Sequence, residues 1–125
     1  MAETIPPELQ QYVVKLQQLR NKLNQIVAEK SLVQAQLREA EKALEILKNI
    51  SSDKPVYRAA GHLLVRVSKE DAEKDLSDKK DLLELRLKSL ERQEAALTSE
   101  IKSLESKINE ILGRYYGTSL KRGGG

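Results

Sequence analysis

Apolar residues recur along the first third of the chain at steps that alternate between three and four residues. The stepping begins at Leu9 and meets one polar residue, Lys30. The apolar positions of this first seam are Leu9, Tyr12, Leu16, Leu19, Leu23, Ile26, Val33, Leu37, Ala40, Leu44 and Leu47. A strict repeat of 3.5 residues held over this length predicts a left-handed coiled coil, because unrelated amphipathic helices drift towards 3.6.

The same stepping recurs in the last third of the chain. It starts at Leu76 and is interrupted by Lys80 and Glu94. Its apolar positions are Leu76, Leu83, Leu87, Leu90, Leu97, Ile101, Leu104, Ile108, Ile111 and Tyr115. No proline lies in either segment, so we predict coiled-coil helices over residues 8–48 and 69–116 and a flexible tail over 117–125.

The two seams match when the segments are laid antiparallel. In that register Lys30 and Glu94, the interior polar breaks, come within about one residue of each other. A slip in register would leave each charge buried without its partner. We therefore predict an antiparallel hairpin of helices within one chain, with Lys30 and Glu94 as a register pair.

The connection between the helices is rich in β-forming residues. Residues 55–67 contain two such runs on either side of Gly61, which predicts a single β-hairpin. Leu63, Val65 and Val67 alternate on one face, and Leu64 adds apolar surface to the other. An isolated two-stranded hairpin is marginal in water. We therefore expect hairpins from several chains to join into a shared sheet or barrel.

The amino-acid composition is also that expected of a two-helix coiled coil. The 125 residues include no Phe, Trp or Cys and only four Tyr, while a third are charged. Few aromatics argue against a thick core, and a narrow seam is filled by Leu and Ile. The net charge of +3 comes largely from Arg114, Lys121 and Arg122, and the helices interleave both signs. Nucleic-acid binding needs a one-signed surface, so no nucleic-acid partner is expected.

The sequence offers no chemistry of catalysis. His62 is the only histidine and lies beside the predicted turn. There is no thiol, no metal-ligand cluster and no phosphate-binding glycine loop, so we expect neither an enzyme nor a cofactor or metal. No long uncharged apolar run and no signal-peptide pattern occur, which predicts no membrane partner and a cytoplasmic location.

The free ends of the two helices carry more apolar residues than the seam needs. Val13, Val14, Leu112 and Tyr116 fall outside the stepping and should face water. An exposed apolar patch indicates a partner surface. The alternative is that these residues wrap the end of the coil or staple a helix terminus.

Local stretches resemble the prefoldin family in its archaeal beta-type subunits. The resemblance covers nearly the whole chain and rests on the helix–hairpin–helix order with one hairpin. The stretches are residues 16–19 (LQQL), 56–58 (VYR) with Gly61, 63–69 (LLVRVSK) and 90–94 (LERQE), of which the hairpin stretch is the most specific. The tail after Gly117 matches no family pattern.

The resemblance implies an ATP-independent co-chaperone, a hexamer of two alpha and four beta subunits. Hairpins would form a β-barrel platform, and apolar coiled-coil tips would bind unfolded client proteins and deliver them to a group II chaperonin. The implied tip residues are Leu9, Tyr12, Val13, Leu16, Ile111, Leu112, Tyr115 and Tyr116. The implied platform residues are Val56, Tyr57, Leu63, Leu64, Val65 and Val67.

Two other functions remain open from the residues alone. A structural coiled-coil spacer or oligomerisation subunit would explain the heptads, but it needs neither the strands nor the apolar helix ends. An RNA-binding helical arm would need basic residues along one outer face.

Overall fold

The chain folds into two long helices joined by a β-hairpin. The computed structural model describes the backbone of residues 5–123 and the side chains of residues 5–116. The elements in order are α1 (Pro7–Asn49), β1 (Val56–Ala60), β2 (Leu63–Val67) and α2 (Lys69–Gly123). This order confirms the predicted fold class within one chain.

The first helix begins at a pair of prolines. Pro7 occupies the first helical position, where a missing N–H costs nothing and the fixed φ favours the helix. The carbonyl of Pro6 accepts the first helical hydrogen bond, from the Gln10 amide at 3.0 Å. The Gln10 side chain also donates to the Ile5 carbonyl at 2.9 Å, which holds the preceding residue against the helix.

The hairpin turns on Gly61 and His62. β1 and β2 pair antiparallel from Val56 opposite Val67 to Ala60 opposite Leu63. Gly61 has a φ of 61°, and no non-glycine residue has a positive φ in the described chain. Glycine with positive φ at the first of two central positions is the pattern of a type II′ turn, whose twist matches that of paired strands.

The side chain of Ser68 caps the start of the second helix. The Asp71 amide donates to the Ser68 hydroxyl at 3.0 Å, and the Ala72 amide donates to the Ser68 carbonyl at 3.0 Å. Glu70 and Asp71 place negative charge in the first turn, where the helix dipole favours it. The helix therefore begins at Lys69, the residue predicted.

The second helix extends beyond the end that the sequence predicted at residue 116. The helix continues to Gly123, through residues assigned by sequence to a flexible tail. One interior glycine such as Gly117 costs only about 1 kcal/mol relative to alanine, which adjoining helical turns can outweigh. Residues 124 and 125 lie outside the described residues.

The chain divides into two compact units, which we name by their contents. The terminal unit comprises the residues up to Ala28 and from Arg92 onwards, and the hairpin unit comprises Glu29 to Glu91. Each contains a stretch of both helices. Each has its own apolar core, and among the described side chains no polar residue is buried.

Both cores consist of seam residues. In the terminal unit the buried side chains are Leu9, Ile26, Leu97, Ile101, Leu104 and Ile111. In the hairpin unit they are Val33, Ala40, Leu44, Leu47 and Leu90. All other apolar positions of the predicted seams are half-buried, except Tyr115, which is 61% exposed. The second seam thus ends at Ile111, and the prediction that it includes Tyr115 is wrong.

Ion pairs flank the core in each unit. Arg20 of α1 pairs with Glu105 of α2 at 2.6 Å in the terminal unit, and Glu29 pairs with Arg86 in the hairpin unit. Such half-exposed pairs contribute about 0–1 kcal/mol each, so they favour the antiparallel arrangement without dominating stability. The register breaks Lys30 and Glu94 are both half-buried, and their pairing stays a prediction.

We expect Leu90→Ala to lower the free energy of unfolding by about 2–5 kcal/mol, because Leu90 has no exposed surface and truncation leaves a cavity. Leu82→Ala is the matched control on the same helix, since Leu82 is 68% exposed, and its effect should stay within about 0.5 kcal/mol. Urea denaturation followed by circular dichroism measures both. Equal losses in the two variants would contradict the described core.

Candidate functional site

The predicted tip residues divide into supporting and exposed side chains. Leu9 and Ile111 are only 6% and 2% exposed, so they belong to the core of the terminal unit. A buried side chain contacts a partner only if the helices separate. Both lie on the seam and hold the helix ends together, and their assignment to the client-binding surface stays a prediction.

The exposed part of the tip lies on both helices. Val13 and Val14 on α1 are 49% and 58% exposed, and Tyr115 on α2 is 61% exposed. Leu112 and Tyr116, expected to face water, are half-buried. The rings of Tyr115 and Tyr116 lie 6.5 Å apart at their centroids and are tilted by 46°. These side chains offer apolar contact area with a polar phenol edge.

Tyr12 is held against the opposite helix. The Lys107 ammonium lies 5.6 Å from the centroid of the Tyr12 ring, within the range of a cation–π contact. Tyr12 and the neighbouring tip residue Leu16 are both half-buried. The structure thus brings Tyr12 and α2 together at this end and leaves only part of the ring accessible.

The platform residues are mostly exposed on the hairpin. Leu63, Leu64, Val65 and Tyr57 are 69%, 73%, 42% and 56% exposed, whereas Val56 and Val67 at the base are half-buried. Aliphatic side chains in a two-stranded sheet usually pack against something. This degree of exposure leaves a large apolar surface without a covering element among residues 5–116.

Two polar contacts fix the hairpin to its own helices. Arg58 of β1 pairs with Asp75 of α2. Lys69, the first residue of α2, donates to the Ile50 carbonyl at 2.9 Å, just beyond the end of α1. Since Lys69 is largely shielded from water, this bond also satisfies a carbonyl that the helix end leaves open. Arg58 thus links the hairpin to α2, and Lys69 links the start of α2 to the segment that follows α1.

Other exposed apolar residues were missed by the stepping. In the terminal unit Ile5, just before α1, is 51% exposed. In the hairpin unit Ile46, Leu82 and Leu85 are 56%, 68% and 64% exposed. Ile46, Leu82 and Leu85 share one signal, an apolar residue outside the 3–4 repeat, which is the signal that had identified Val13. Ile5 instead continues the repeat, four residues before Leu9.

The described residues contain neither a cluster of metal-ligating side chains nor a membrane-spanning helix. Within residues 5–116, no three acidic or histidine side chains are grouped so as to hold a metal ion. Neither helix, as far as it is described, contains a stretch long and apolar enough to cross a membrane.

Comparison with known proteins identifies the family. The model of the prefoldin subunit family matches residues 10–115. The chain belongs to the prefoldin family. A prefoldin subunit beta from Sulfolobus acidocaldarius is 46% identical over 116 residues, which are 93% of each chain. One from Sulfurisphaera tokodaii is 43% identical over 119 residues, 95% of each chain.

Solved prefoldin structures share the fold. The prefoldin beta subunit from Thermococcus strain KS-1 is 36% identical, with a TM-score of 0.81 over 89% of this chain and 97% of that one. The beta2 subunit of the same strain is 23% identical, with a TM-score of 0.66 over 73% of this chain, and shares the fold alone. The prefoldin resemblance stated from the hairpin and helix stretches is thus confirmed.

The division of the prefoldin tip into support and surface is testable by stability. Ile111→Ala should lower the free energy of unfolding by about 2–5 kcal/mol, because it leaves a cavity in the terminal unit. Tyr115→Ala, four residues on, should change it by about 0.5 kcal/mol or less, because most of the ring is in water. Thermal and urea melts of the two variants decide the point. A larger loss for Tyr115→Ala would show that Tyr115 supports the core.

Proposed function

We propose that this prefoldin-family chain is a co-chaperone subunit that binds non-native protein through the exposed apolar side chains at its helix ends. The observation that carries the proposal is that Val13, Val14 and Tyr115 are exposed and take no part in the buried seam. Unfolded chains expose apolar segments of varied sequence. Aliphatic and tyrosine side chains suit such partners, because they give contact area without demanding one hydrogen-bond pattern.

The helix ends of one subunit should bind a client only weakly, because their apolar surface is small and shallow. Each subunit contributes only a few exposed side chains, and none lies in a deep pocket. Several subunits in one assembly can engage the same client, and the resulting effective concentration raises avidity by roughly 10²–10⁴ over a single contact. Loose individual contacts also allow the client to leave one subunit at a time.

Assembly is the role we assign to the hairpin. Tyr57, Leu63, Leu64 and Val65 would be covered by other subunits of the prefoldin type, with two alpha and four beta subunits in a hexamer. The exposed aliphatic surface and unpaired strand edges of the hairpin support this role. The relatives' designation as subunits supports it as well.

Delivery to a group II chaperonin completes the proposed cycle. No nucleotide site is needed for it, because a client held by several weak contacts can be transferred to a competing apolar surface. The direction of transfer then depends on relative affinity.

Replacing Val13, Val14 and Tyr115 together with Ser should abolish suppression of client aggregation by the assembled protein. The substitution removes the exposed apolar area and leaves Leu9 and Ile111 in the core. Light scattering of a chemically denatured client, diluted into buffer with the variant or the unchanged protein, measures the effect.

The matched control is Val27→Ser, which removes a 43% exposed valine of α1 outside the helix end. It should retain full suppression. Full suppression by the triple variant would refute the binding surface and leave the structural-spacer alternative.

Native mass spectrometry tests the assembly. A hexamer should form when the chain is mixed with an archaeal prefoldin alpha subunit, because the hairpin surfaces then find partners. Leu63→Ser with Leu64→Ser should weaken the hexamer, and the triple variant at the helix ends should leave it intact. A chain that stays monomeric with every alpha subunit tried would count against the proposed assembly.

A further inference from the structure

Two lysine residues line one groove on the flank of the terminal unit. The groove has a volume of about 220 Å³, and α1 contributes Lys15 to it while α2 contributes Lys107. Both lysines are exposed. The seam residues Leu19 and Leu104 also line the groove, so its charged residues adjoin apolar walls. We call it the lysine groove.

The two lysines occupy positions where a coiled coil usually places opposite charges. Each immediately precedes a seam residue, and flanking positions of this kind commonly form ion pairs between helices. Arg20 and Glu105, which immediately follow seam residues, form such a pair at 2.6 Å. Lys15 and Lys107 instead bring like charges into one groove, where they repel each other. Stability of the coil therefore does not account for their placement.

Neither lysine is neutralised by the described chain. Among residues 5–116, no acidic side chain forms an ion pair with Lys15 or Lys107. The Lys107 ammonium lies 5.6 Å from the centroid of the Tyr12 ring, which attracts a cation without cancelling its charge. Glu100 also lines the groove, but one carboxylate against two ammonium groups leaves an excess of positive charge.

The excess positive charge of the described chain lies in the terminal unit. Residues 5–28 and 92–116 carry seven basic and five acidic side chains, whereas residues 29–91 of the hairpin unit carry thirteen of each. The field of such a surface favours the approach of negatively charged partners. The lysine groove is a place where two of these positive charges converge.

We propose that the lysine groove binds the carboxylate of an aspartate or glutamate side chain in the non-native segment held at the helix ends. This inference rests on the client-binding function proposed above. It adds a preferred class of substrate, namely apolar segments that carry an acidic residue. The two ammonium groups would donate charge-assisted hydrogen bonds to the carboxylate oxygens.

The size and position of the lysine groove suit one acidic side chain. Its volume is below the roughly 300–1,000 Å³ of pockets that enclose a whole small ligand, so a single side chain is the better fit. Lys15 also lines a second groove together with Val14, one of the exposed residues of the proposed binding surface. A segment that covers Val14 therefore passes beside Lys15, and its acidic residue can reach the lysine groove.

Peptide binding to the full-length chain, assembled with an alpha subunit, tests the inference. Three peptides with blocked ends carry Leu and Val around one central residue, which is Glu, Gln or Lys. The Glu peptide should bind about fivefold more tightly than the Gln peptide, and the Lys peptide more weakly than either, because exposed ion pairs are individually modest. Fluorescence anisotropy measures the affinities. Salt at roughly 0.5 M should remove most of the difference, because it screens exposed charges.

A pair of double variants separates the groove from the general charge of the unit. Lys15→Gln with Lys107→Gln should bind the Glu and Gln peptides equally. The matched control, Lys22→Gln with Lys102→Gln, removes the same charge from two exposed lysines of the same unit that do not line the groove. It should keep the fivefold preference. Circular dichroism confirms that both are folded. Equal loss of the preference in both variants would overturn the site.

Further outcomes distinguish this inference from the proposed function. Equal affinity of the unchanged protein for the Glu and Gln peptides, or binding of neither, would overturn the inference. Suppression of client aggregation, measured by light scattering, then leaves the proposed function standing, and its absence would overturn both. A uridine oligonucleotide that binds through Lys15 and Lys107, without any preference for the Glu peptide, would assign the groove to phosphate and also overturn the inference.

Charge reversal tests the same groove by a gain of binding. Lys15→Glu with Lys107→Glu should bind the Lys peptide more tightly than the Glu peptide, because the groove then contains three acidic side chains, including Glu100. The same anisotropy titration measures the preference. A folded reversal variant that still prefers the Glu peptide would contradict the proposal.

Discussion

The narrow apolar seam between the helices is the constraint on which the rest of this structure depends. A 3.5-residue repeat confines burial to two positions in seven, so each unit has a thin core, of Leu and Ile in the terminal unit and of Leu, Val and Ala in the hairpin unit. Large aromatics have no interior space to fill, which accounts for their scarcity. Several apolar residues off the repeat, such as Val13 and Leu82, are exposed by the same geometry.

The two ends of the helices differ in what they expose. At the free ends, Leu9 and Ile111 close the core while Val13, Val14 and Tyr115 remain in water. At the connection, the helices give way to strands whose backbone groups are only half paired. Arg58 of the hairpin pairs with Asp75 of α2, and Leu63 and Leu64 remain exposed.

Sequence reasoning identified the seam well because its signal is periodic and each position is repeated many times. It identified the hairpin from β-forming runs around one glycine. It was less successful where a local signal competed with its neighbours. Gly117 indicated a helix end that the chain passes through, and Tyr115 fitted the repeat although the seam had already closed at Ile111.

The sequence by itself determined the family, the two helices, the single hairpin and most of the buried positions, because heptad spacing and turn chemistry are local properties. Only the tertiary structure decided which apolar residues support the helix ends and which are exposed. The tertiary structure also showed a groove between α1, β1 and α2. Its lining includes Ala43, Ala59 and Ala72, one from each of these elements. Exposure and cavities depend on how distant segments pack together, and no spacing along the chain records that.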